Sequence, residues 1–264
     1  MTDLIIWTIL ASLLGIIFGS FINVVVFRTK EGQSLGGRSK CRTCLEPIGG
    51  MDLIPIVSYF ALKGRCRRCS SVIEWQYPAV EMATGILFGL LFARAWLGIG
   101  WPNFIDQTEW VALFVRDASI AIFLVIIFVY DFRYSYILDK YSIPAILLAL
   151  VFNVALGANA LSLLLGGLLI GGFFAIQFLV SEGKWIGGGD IRMGLLMGFL
   201  LGPALGGVAL FVSYVLGALT GIFLILTKQR ELNSHVPFGT FLALGTVIAM
   251  IWGSGLLNWY LGYF

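Results

Sequence analysis

Long uninterrupted apolar runs constrain this chain more than any other feature. Of its 264 residues, 59% are hydrophobic and only 12% are charged, against roughly a quarter charged in ordinary soluble domains. Several runs approach or reach the roughly 20 apolar residues with which an α-helix crosses a hydrocarbon core of about 30 Å. In lipid, backbone groups must be hydrogen-bonded within the chain, which a helix achieves by itself. The sequence therefore predicts an all-α membrane protein and excludes a soluble fold.

We expect about eight transmembrane helices. The first apolar run, Leu4 to Phe27, has no basic segment before it and no convincing cleavage site, which indicates a retained helix rather than a signal peptide. The 191–202 run is short and Gly-rich. Arg116 and Asp117 lie within the 111–130 run, so either its outer turns lie at the membrane interface or the pair is buried between helices. The predicted spans are about 4–27, 79–98, 111–130, 142–157, 160–180, 191–202, 204–227 and 237–261.

Glycines are frequent in the later spans. Small residues at helix interfaces let two backbones approach closely in a membrane. We therefore expect close helix packing at two groups of glycines, Gly166, Gly167, Gly171 and Gly172 in one helix and Gly202, Gly206 and Gly207 around the next.

The segment between the first two spans, 28–78, has a different composition from the rest of the chain. It contains nine of the 17 Lys and Arg residues and all four cysteines. Such a segment belongs outside the hydrocarbon core. We predict three parts: a first transmembrane helix (1–27), an extramembrane cysteine module (28–78) and a helix bundle (79–264).

The distribution of positive charge predicts the orientation of the chain. If the N-terminus lies outside, the segments 28–78, 131–141, 181–192 and 228–236 face the cytoplasm and hold 15 of the 17 basic residues. Only Arg94 and Arg116 then fall on the other side. Because Lys and Arg concentrate in cytoplasmic loops, we predict that both termini are periplasmic and that the cysteine module is cytoplasmic. We expect no nucleic-acid partner.

The four cysteines form two C-x-x-C pairs, Cys41 with Cys44 and Cys66 with Cys69, separated by 21 residues. This pattern is close to the template of a four-thiolate zinc site. A disulfide or redox role is disfavoured because the charge pattern places these thiols in the reducing cytoplasm, and free thiols remain a further alternative. Four cysteines complete a tetrahedral shell, so we expect a structural zinc that helps a module with little hydrophobic core to fold.

Two acidic residues stand at the edges of apolar runs. Asp131 directly follows the 111–130 run, and Asp190 follows Gly187, Gly188 and Gly189 just before another apolar run. Ionisable groups at such depth are costly, so a function is the first hypothesis. Two carboxylates brought together share one proton: the ionised acid activates a water and the protonated one polarises a carbonyl, which hydrolyses an amide. The glycines would let an extended substrate backbone approach Asp190.

Simpler interpretations of these acids remain open. Asp190 is also suited to cap the helix that follows it, and Asp131 is also compatible with a solvated position at a helix end. Asp139 competes with Asp131 as the partner acid, but it lies beyond the apolar run and beside Lys140, where water and a cation keep a carboxylate ionised. The glycine run lacks the Lys-Ser/Thr of a phosphate-binding loop. His235, in a polar segment, is expected to be solvated.

Six short motifs follow one another along the chain: Gly19 to Val24, the paired cysteines, Tyr77 to Glu81, Asp131 with Leu138-Asp139, Gly187 to Asp190, and Pro237-Phe238-Gly239. Taken in this order, they resemble the motifs of the prepilin peptidases, the bacterial members of the aspartyl proteases with a Gly-x-Gly-Asp motif. Two positions depart from the family pattern: Leu138 stands where a proline is usual, and Thr240 stands in place of the last proline of Pro-Phe-Gly-Pro.

The resemblance implies that Asp131 and Asp190 are the catalytic acids, and Tyr130-Asp131 is also similar to the tyrosine-aspartate pair of presenilin-type proteases. It implies type IV prepilins or type II secretion pseudopilins as substrates, cut between a basic cytoplasmic leader and an apolar helix. It further implies N-methylation of the new N-terminus from S-adenosylmethionine. Glu81 is either a methylation or leader-binding residue or a favourable charge at a helix start.

Three other functions are alternatives to this one. A peptidase without methyl transfer is compatible with the same motifs, because only the resemblance implies methylation. A proton-coupled transporter would also have intramembrane acids and broken helices, but it predicts acids near the bilayer midplane and repeated halves. The third alternative is a zinc-stabilised membrane scaffold without chemistry.

Overall fold

The computed structural model describes residues 2–100, 109–227 and 237–262. Within these ranges the protein forms eight α-helices and one short 3-10 helix at Gly50–Leu53, and the only strand-like pairings are two isolated bridges. Six of the helices are long and apolar enough to cross a membrane. The predicted all-α membrane fold is confirmed. The helices are α1 (Thr2–Lys30), α2 (Val57–Ala61), α3 (Gln76–Leu97), α4 (Trp110–Tyr134), α5 (Asp139–Ala155), α6 (Ala160–Val180), α7 (Gly188–Leu226) and α8 (Phe238–Leu261).

The longest helical segment, α7, consists of two arms that fold back on each other. Gly202 has φ 73° and ψ −177°, and it is followed by Pro203, which has no N–H to continue the helix. A Cβ on Gly206 in the second arm would lie 3.7 Å from the Cα of Gly198 in the first. The chain therefore reverses at Gly202, and the two arms match the predicted spans 191–202 and 204–227. Counted with these arms, each predicted span coincides with one helix.

The reversal leaves backbone carbonyls without their helical partners, and Asn153 on α5 binds them. Pro203 cannot donate to the carbonyl of Phe199, four residues earlier. The Asn153 amide donates to the carbonyl oxygens of Phe199 at 2.7 Å and of Leu200 at 2.9 Å. Because an unsatisfied carbonyl is costly in lipid, these two hydrogen bonds from Asn153 stabilise the turn in α7.

A buried charge network orients Asn153. Arg116 donates to the Asn153 side-chain oxygen at 2.7 Å and to one oxygen of Asp117 at 2.7 Å, while Arg94 donates to the other oxygen of Asp117 at 2.7 Å. Arg116 and Asp117 are 2% and 0% exposed. Of the two placements that the sequence left open for this pair, the structure shows burial between helices.

Glycines allow α6 to pack against the first arm of α7. A Cβ on Gly166 would lie 2.7 Å from the carbonyl oxygen of Gly198, and one on Gly194 would lie 3.0 Å from the Cα of Gly171. The predicted close packing is therefore present at these positions. Gly172 and Gly207, in contrast, have nothing within 4 Å of an added Cβ.

The chain divides into two compact units, Met1–Ala93 and Arg94–Phe264. The first contains α1, the cysteine segment, α2 and most of α3, and the second contains the remaining helices. The three functional parts predicted from the sequence, 1–27, 28–78 and 79–264, stay a prediction.

In the first unit, α1 and α3 pack side by side through two of the sequence motifs. A Cβ on Gly19 would lie 2.7 Å from the Cα of Glu81. One turn further along α1, the amide of Asn23 donates to the Tyr77 carbonyl at 3.2 Å and accepts from Gln76 at 3.1 Å. These contacts set the register of the two helices, so that the start of α3 lies beside Asn23.

Candidate active site and metal centre

Asp131 lies in the last turn of α4 and is only 4% exposed. Its Oδ2 atom accepts two hydrogen bonds from Thr240, one from the backbone N–H at 2.7 Å and one from the hydroxyl at 3.1 Å. Because α8 begins at Phe238, the Thr240 N–H belongs to the first turn, whose donors have no partner within the helix. Asp131 therefore binds the N-terminus of α8 from another helix.

Asp190 lies at the start of α7 and is 7% exposed. The N-cap of this helix is Gly187, not Asp190, and the backbone N–H of Gly187 donates to Asp190 Oδ2 at 3.0 Å. The sequence left capping and catalysis as alternative roles for Asp190. Its position is compatible with both roles, because the carboxylate binds a free N–H at the start of the helix without being the N-cap residue. Helix N-termini carry partial positive charge, so both acids occupy positions that suit an anion.

Ile137, in the loop between α4 and α5, packs against a glycine near each of the two acids. A Cβ on Gly189 would lie 2.7 Å from the Ile137 Cβ, and one on Gly239 would lie 2.5 Å from the Ile137 Cδ1 and 2.9 Å from Asp131 Oδ2. A larger residue fits neither position. Ile137 is therefore a common neighbour of the residue before Asp190 and of the residue beside Asp131.

The glycines before Asp190 differ in their surroundings. Gly189 is packed against Ile137, whereas an added Cβ on Gly188 would meet nothing within 4 Å, and one on Gly187 would approach only the Asp190 carboxylate and the neighbouring backbone, at 3.9 Å. The open side of the loop is therefore at Gly187 and Gly188.

Asp139, the competing acid, lies outside this site. Its side chain is 60% exposed and pairs with Arg192 at 2.6 Å. The cation paired with Asp139 is therefore Arg192, whereas the sequence had suggested Lys140. Arg192 also donates to the carbonyl of Ile137 at 3.2 Å, so Arg192 contacts the loop that carries Ile137.

The sequence indicated no role for Thr240 or Tyr214. Thr240 was noted only as a departure from the family pattern, although Pro237 suits a helix start and so predicts free N–H groups just after it. The Tyr214 ring lies 5.0 Å from the Phe238 ring at the start of α8 because α7 reverses, and no local signal predicts that reversal. His235 and the segment 228–236 lie outside the described residues.

The four cysteines lie together in the first unit. Their sulfur atoms are all within 4.8 Å of one another, and none forms a disulfide. The Sγ atoms of Cys41 and Cys69 are 3.8 Å apart. A tetrahedral zinc with Zn–S bonds of about 2.3 Å requires sulfurs about 3.8 Å apart. The donor set and its spacing therefore fit a four-thiolate zinc.

Each cysteine pair is held by the same backbone turn. In each turn, the N–H of the first cysteine donates to the carbonyl of the residue five positions later. The carbonyl of the same cysteine accepts the N–H of the residue four positions later, which has a left-handed conformation. The bonds are Cys41 to Glu46 (2.9 Å), Leu45 to Cys41 (2.9 Å), Cys66 to Ser71 (2.8 Å) and Ser70 to Cys66 (2.9 Å), with φ 60° at Leu45 and 59° at Ser70. Two equivalent knuckles thus face one another.

Hydrogen bonds within the knuckles favour the thiolate form of two cysteines. The backbone N–H of Cys44 is the main group that lowers the pKa of the Cys41 thiol, to about 6. The hydroxyl of Ser71, 3.1 Å from the Cys69 sulfur, lowers the pKa of Cys69. Since the thiolate is the form that binds a metal, these contacts prepare the cluster for one.

Glu81 is buried on α3, with 6% of its surface exposed. Its carboxylate accepts the backbone N–H of Ile56 at 2.7 Å. Ile56 has φ 62°, an unfavourable value for a β-branched residue. Glu81 therefore holds a strained turn in its own chain, and the predicted role in methylation or leader binding stays a prediction.

Two family models match the chain. Residues 13–95 match the Bacterial Peptidase A24 N-terminal domain, and residues 118–222 match the Type IV leader peptidase family. Together they cover most of the sequence, and both Asp131 and Asp190 fall within the second match.

Curated relatives extend over nearly the whole chain, and each is named prepilin leader peptidase/N-methyltransferase. The relative from Neisseria gonorrhoeae is 29% identical, over 96% of this chain and 94% of its own. The relative from Bacillus subtilis (strain 168) is 29% identical, over 94% of this chain and 95% of its own. One from Aeromonas salmonicida is 28% identical, over 96% of this chain and 93% of its own. No solved structure matches the chain significantly.

Proposed function

Because the chain belongs to the type IV leader peptidase family, we propose that it removes the leader from type IV prepilins or type II secretion pseudopilins with a water held between Asp131 and Asp190. The observation that carries this proposal is that two buried carboxylates, at the N-termini of α7 and α8, lie beside glycines that pack against the same side chain, Ile137. A transporter would instead need acids along the middle of its helices, so the position at helix ends favours hydrolysis.

The hydrogen bonds suggest different roles for the two acids. Two donors from Thr240 on one oxygen stabilise negative charge on Asp131, which makes Asp131 the base. It takes a proton from the water as the water attacks the scissile carbonyl. Asp190 carries the shared proton and donates a hydrogen bond to the carbonyl oxygen. The proton taken from water then passes to the leaving amine as the peptide bond breaks.

The charge distribution supports an inner-membrane location with both termini periplasmic and the cysteine module cytoplasmic. In this orientation Asp131 and Asp190 lie at the cytoplasmic membrane boundary. A basic leader would remain in the cytoplasm and an apolar helix in the bilayer, so the bond between them would reach the acids at that boundary.

The cysteine cluster supports a structural zinc held by Cys41, Cys44, Cys66 and Cys69. The relatives' names support a second activity, transfer of a methyl group to the new N-terminal amine, with S-adenosylmethionine as the donor. On the family motif Tyr77 to Glu81, we assign Glu81 to leader binding or methyl transfer in this chain.

The proposed activities are tested together with purified protein, a prepilin peptide and S-adenosylmethionine labelled in its methyl group. We expect cleavage after the basic leader and the label on the new N-terminus of the mature fragment, read by mass spectrometry. Cleavage without label would indicate a peptidase without methyltransferase activity. Absence of cleavage, with protein that is folded and loaded with zinc, would contradict the proposal.

Thr240 provides a narrower prediction. Hydrogen bonds to charged groups contribute about 1.5–3 kcal/mol, so Thr240→Val, which removes only the hydroxyl, should lower kcat/KM for the prepilin peptide about tenfold or more. Thr240→Ser keeps both donors and serves as the matched control, with kcat/KM close to that of the unchanged protein. Equal activity of the Val and Ser variants would show that the hydroxyl does not support Asp131.

A further inference from the structure

An apolar surface on the first unit has no role in the proposed chemistry. The segment 50–61, which contains the 3-10 helix and α2, exposes Met51, Leu53, Ile54, Val57 and Phe60, each between 43% and 82%. Val57 and Phe60 are three residues apart on α2, so they share one face. Trp75, which is 56% exposed, packs edge-on against the Phe60 ring at 6.4 Å. Large exposed apolar surfaces of this kind mark sites of interaction.

The depth of this segment follows from its contacts with α1 and α3. The Ile56 N–H binds Glu81, and Glu81 packs against Gly19. Gly19 precedes Phe27, the last residue of the apolar run of α1, by a helical rise of about 12 Å. On α3, Glu81 lies two residues, about 3 Å, inside the start of the predicted span 79–98. Both helices therefore place the Ile56 backbone inward of the level at which the membrane spans end.

That depth is characteristic of the membrane interface. Amphipathic interfacial segments bury their apolar side about 5–10 Å into the boundary between headgroups and acyl chains, close to the depth derived for Ile56. Tryptophan is enriched at the same level, which suits Trp75.

The charges around the segment complement anionic lipid. Its one acidic residue, Asp52, forms a bidentate ion pair with Arg67, in which Nε donates to Oδ2 at 2.9 Å and Nη2 donates to Oδ1 at 2.7 Å. These hydrogen bonds lower the pKa of Asp52. The surrounding segment 28–78 has nine basic residues against four acidic ones, Glu31, Glu46, Asp52 and Glu74. Basic clusters beside membrane spans attract anionic headgroups.

We propose that the segment 50–61 is an interfacial anchor that inserts Val57 and Phe60 into the lipid leaflet on the side of the cysteine module, with anionic phospholipid as its partner. Glu81 clamps the anchor to α3 at the depth of Ile56, and the Asp52–Arg67 pair links the anchor to the second cysteine knuckle. The zinc module is then attached to the bilayer at three places: α1, α3 and this anchor. This inference is independent of the proposed peptidase activity.

The test uses the full-length protein in nanodiscs of phosphatidylcholine and phosphatidylglycerol, with the photoreactive amino acid benzoylphenylalanine in place of Phe60 or, separately, Val57. On irradiation we expect phospholipid adducts at both positions, identified by mass spectrometry, with phosphatidylglycerol over-represented relative to its share of the disc. The matched control carries the same group at Glu46, an exposed residue of the first knuckle, and should give few lipid adducts.

Other occupants of the surface would give different products. Cross-links at positions 57 and 60 to a second copy of the chain, or to an added prepilin peptide in place of lipid, would overturn the proposal. Lipid adducts as frequent at position 46 as at position 60 would also overturn it. Zinc content and thermal unfolding, measured on each variant before irradiation, ensure that only folded protein is compared.

Discussion

We expect Asp131→Asn and Asp190→Asn each to lower prepilin cleavage by about two to four orders of magnitude, the range over which a positioned acid or base contributes. Asparagine keeps the size of the side chain but can neither hold the ionised charge nor deliver a proton. The two variants should lose activity to a similar extent, because neither acid activates the water alone. The rate is measured on purified protein with a prepilin peptide at saturating concentration.

The matched control for this pair is Asp139→Asn. Asp139 is an acid of the same region, but its side chain is 60% exposed and it pairs with Arg192. Exposed ion pairs contribute only about 0–1 kcal/mol, so cleavage should change little. Substantial cleavage by the Asp131 or Asp190 variant would remove that residue from the catalytic pair. A loss as large in the Asp139 variant would point to Asp139 as a partner acid instead.

Cys41→Ser and Cys66→Ser should each reduce the zinc content from about one ion per chain to near zero, because a structural zinc site requires its full set of thiolates. No hydrophobic side chain in the described stretch between the two knuckles is buried, so losing the metal should unfold this segment locally. We expect zinc analysis to show the loss and hydrogen exchange to show faster backbone exchange across residues 41–71.

Thr43→Ser is the control for the zinc variants, since Thr43 lies between the two ligands of the first knuckle. It should keep both the zinc and the slow exchange. If the wild-type protein purifies without zinc and its cysteine segment still exchanges slowly, the sulfur cluster is stable without a metal and the zinc assignment is wrong.

Several features were predictable because they depend on residues close together in the sequence. The apolar runs define the membrane helices through their length alone. The spacing within each C-x-x-C pair indicates a metal knuckle, and the glycines before Asp190 indicate a tight, open turn. The break between the spans 191–202 and 204–227 was also predicted, and Pro203, which has no N–H to continue a helix, lies at that break; that the two arms fold back on each other was not predicted.

What the tertiary structure decided involves partners distant in the sequence. Thr240 donates to Asp131 across 109 residues, and Asn153 binds the turn in α7 across 46 residues. No local pattern encodes either contact, because each depends on how whole helices pack. The same holds for the contact between the Ile56 N–H and Glu81. The sequence by itself determined a membrane helix bundle with two acids at its edges and a cysteine cluster. Packing decided which groups those acids meet, because buried polar atoms must find partners wherever the helices bring them.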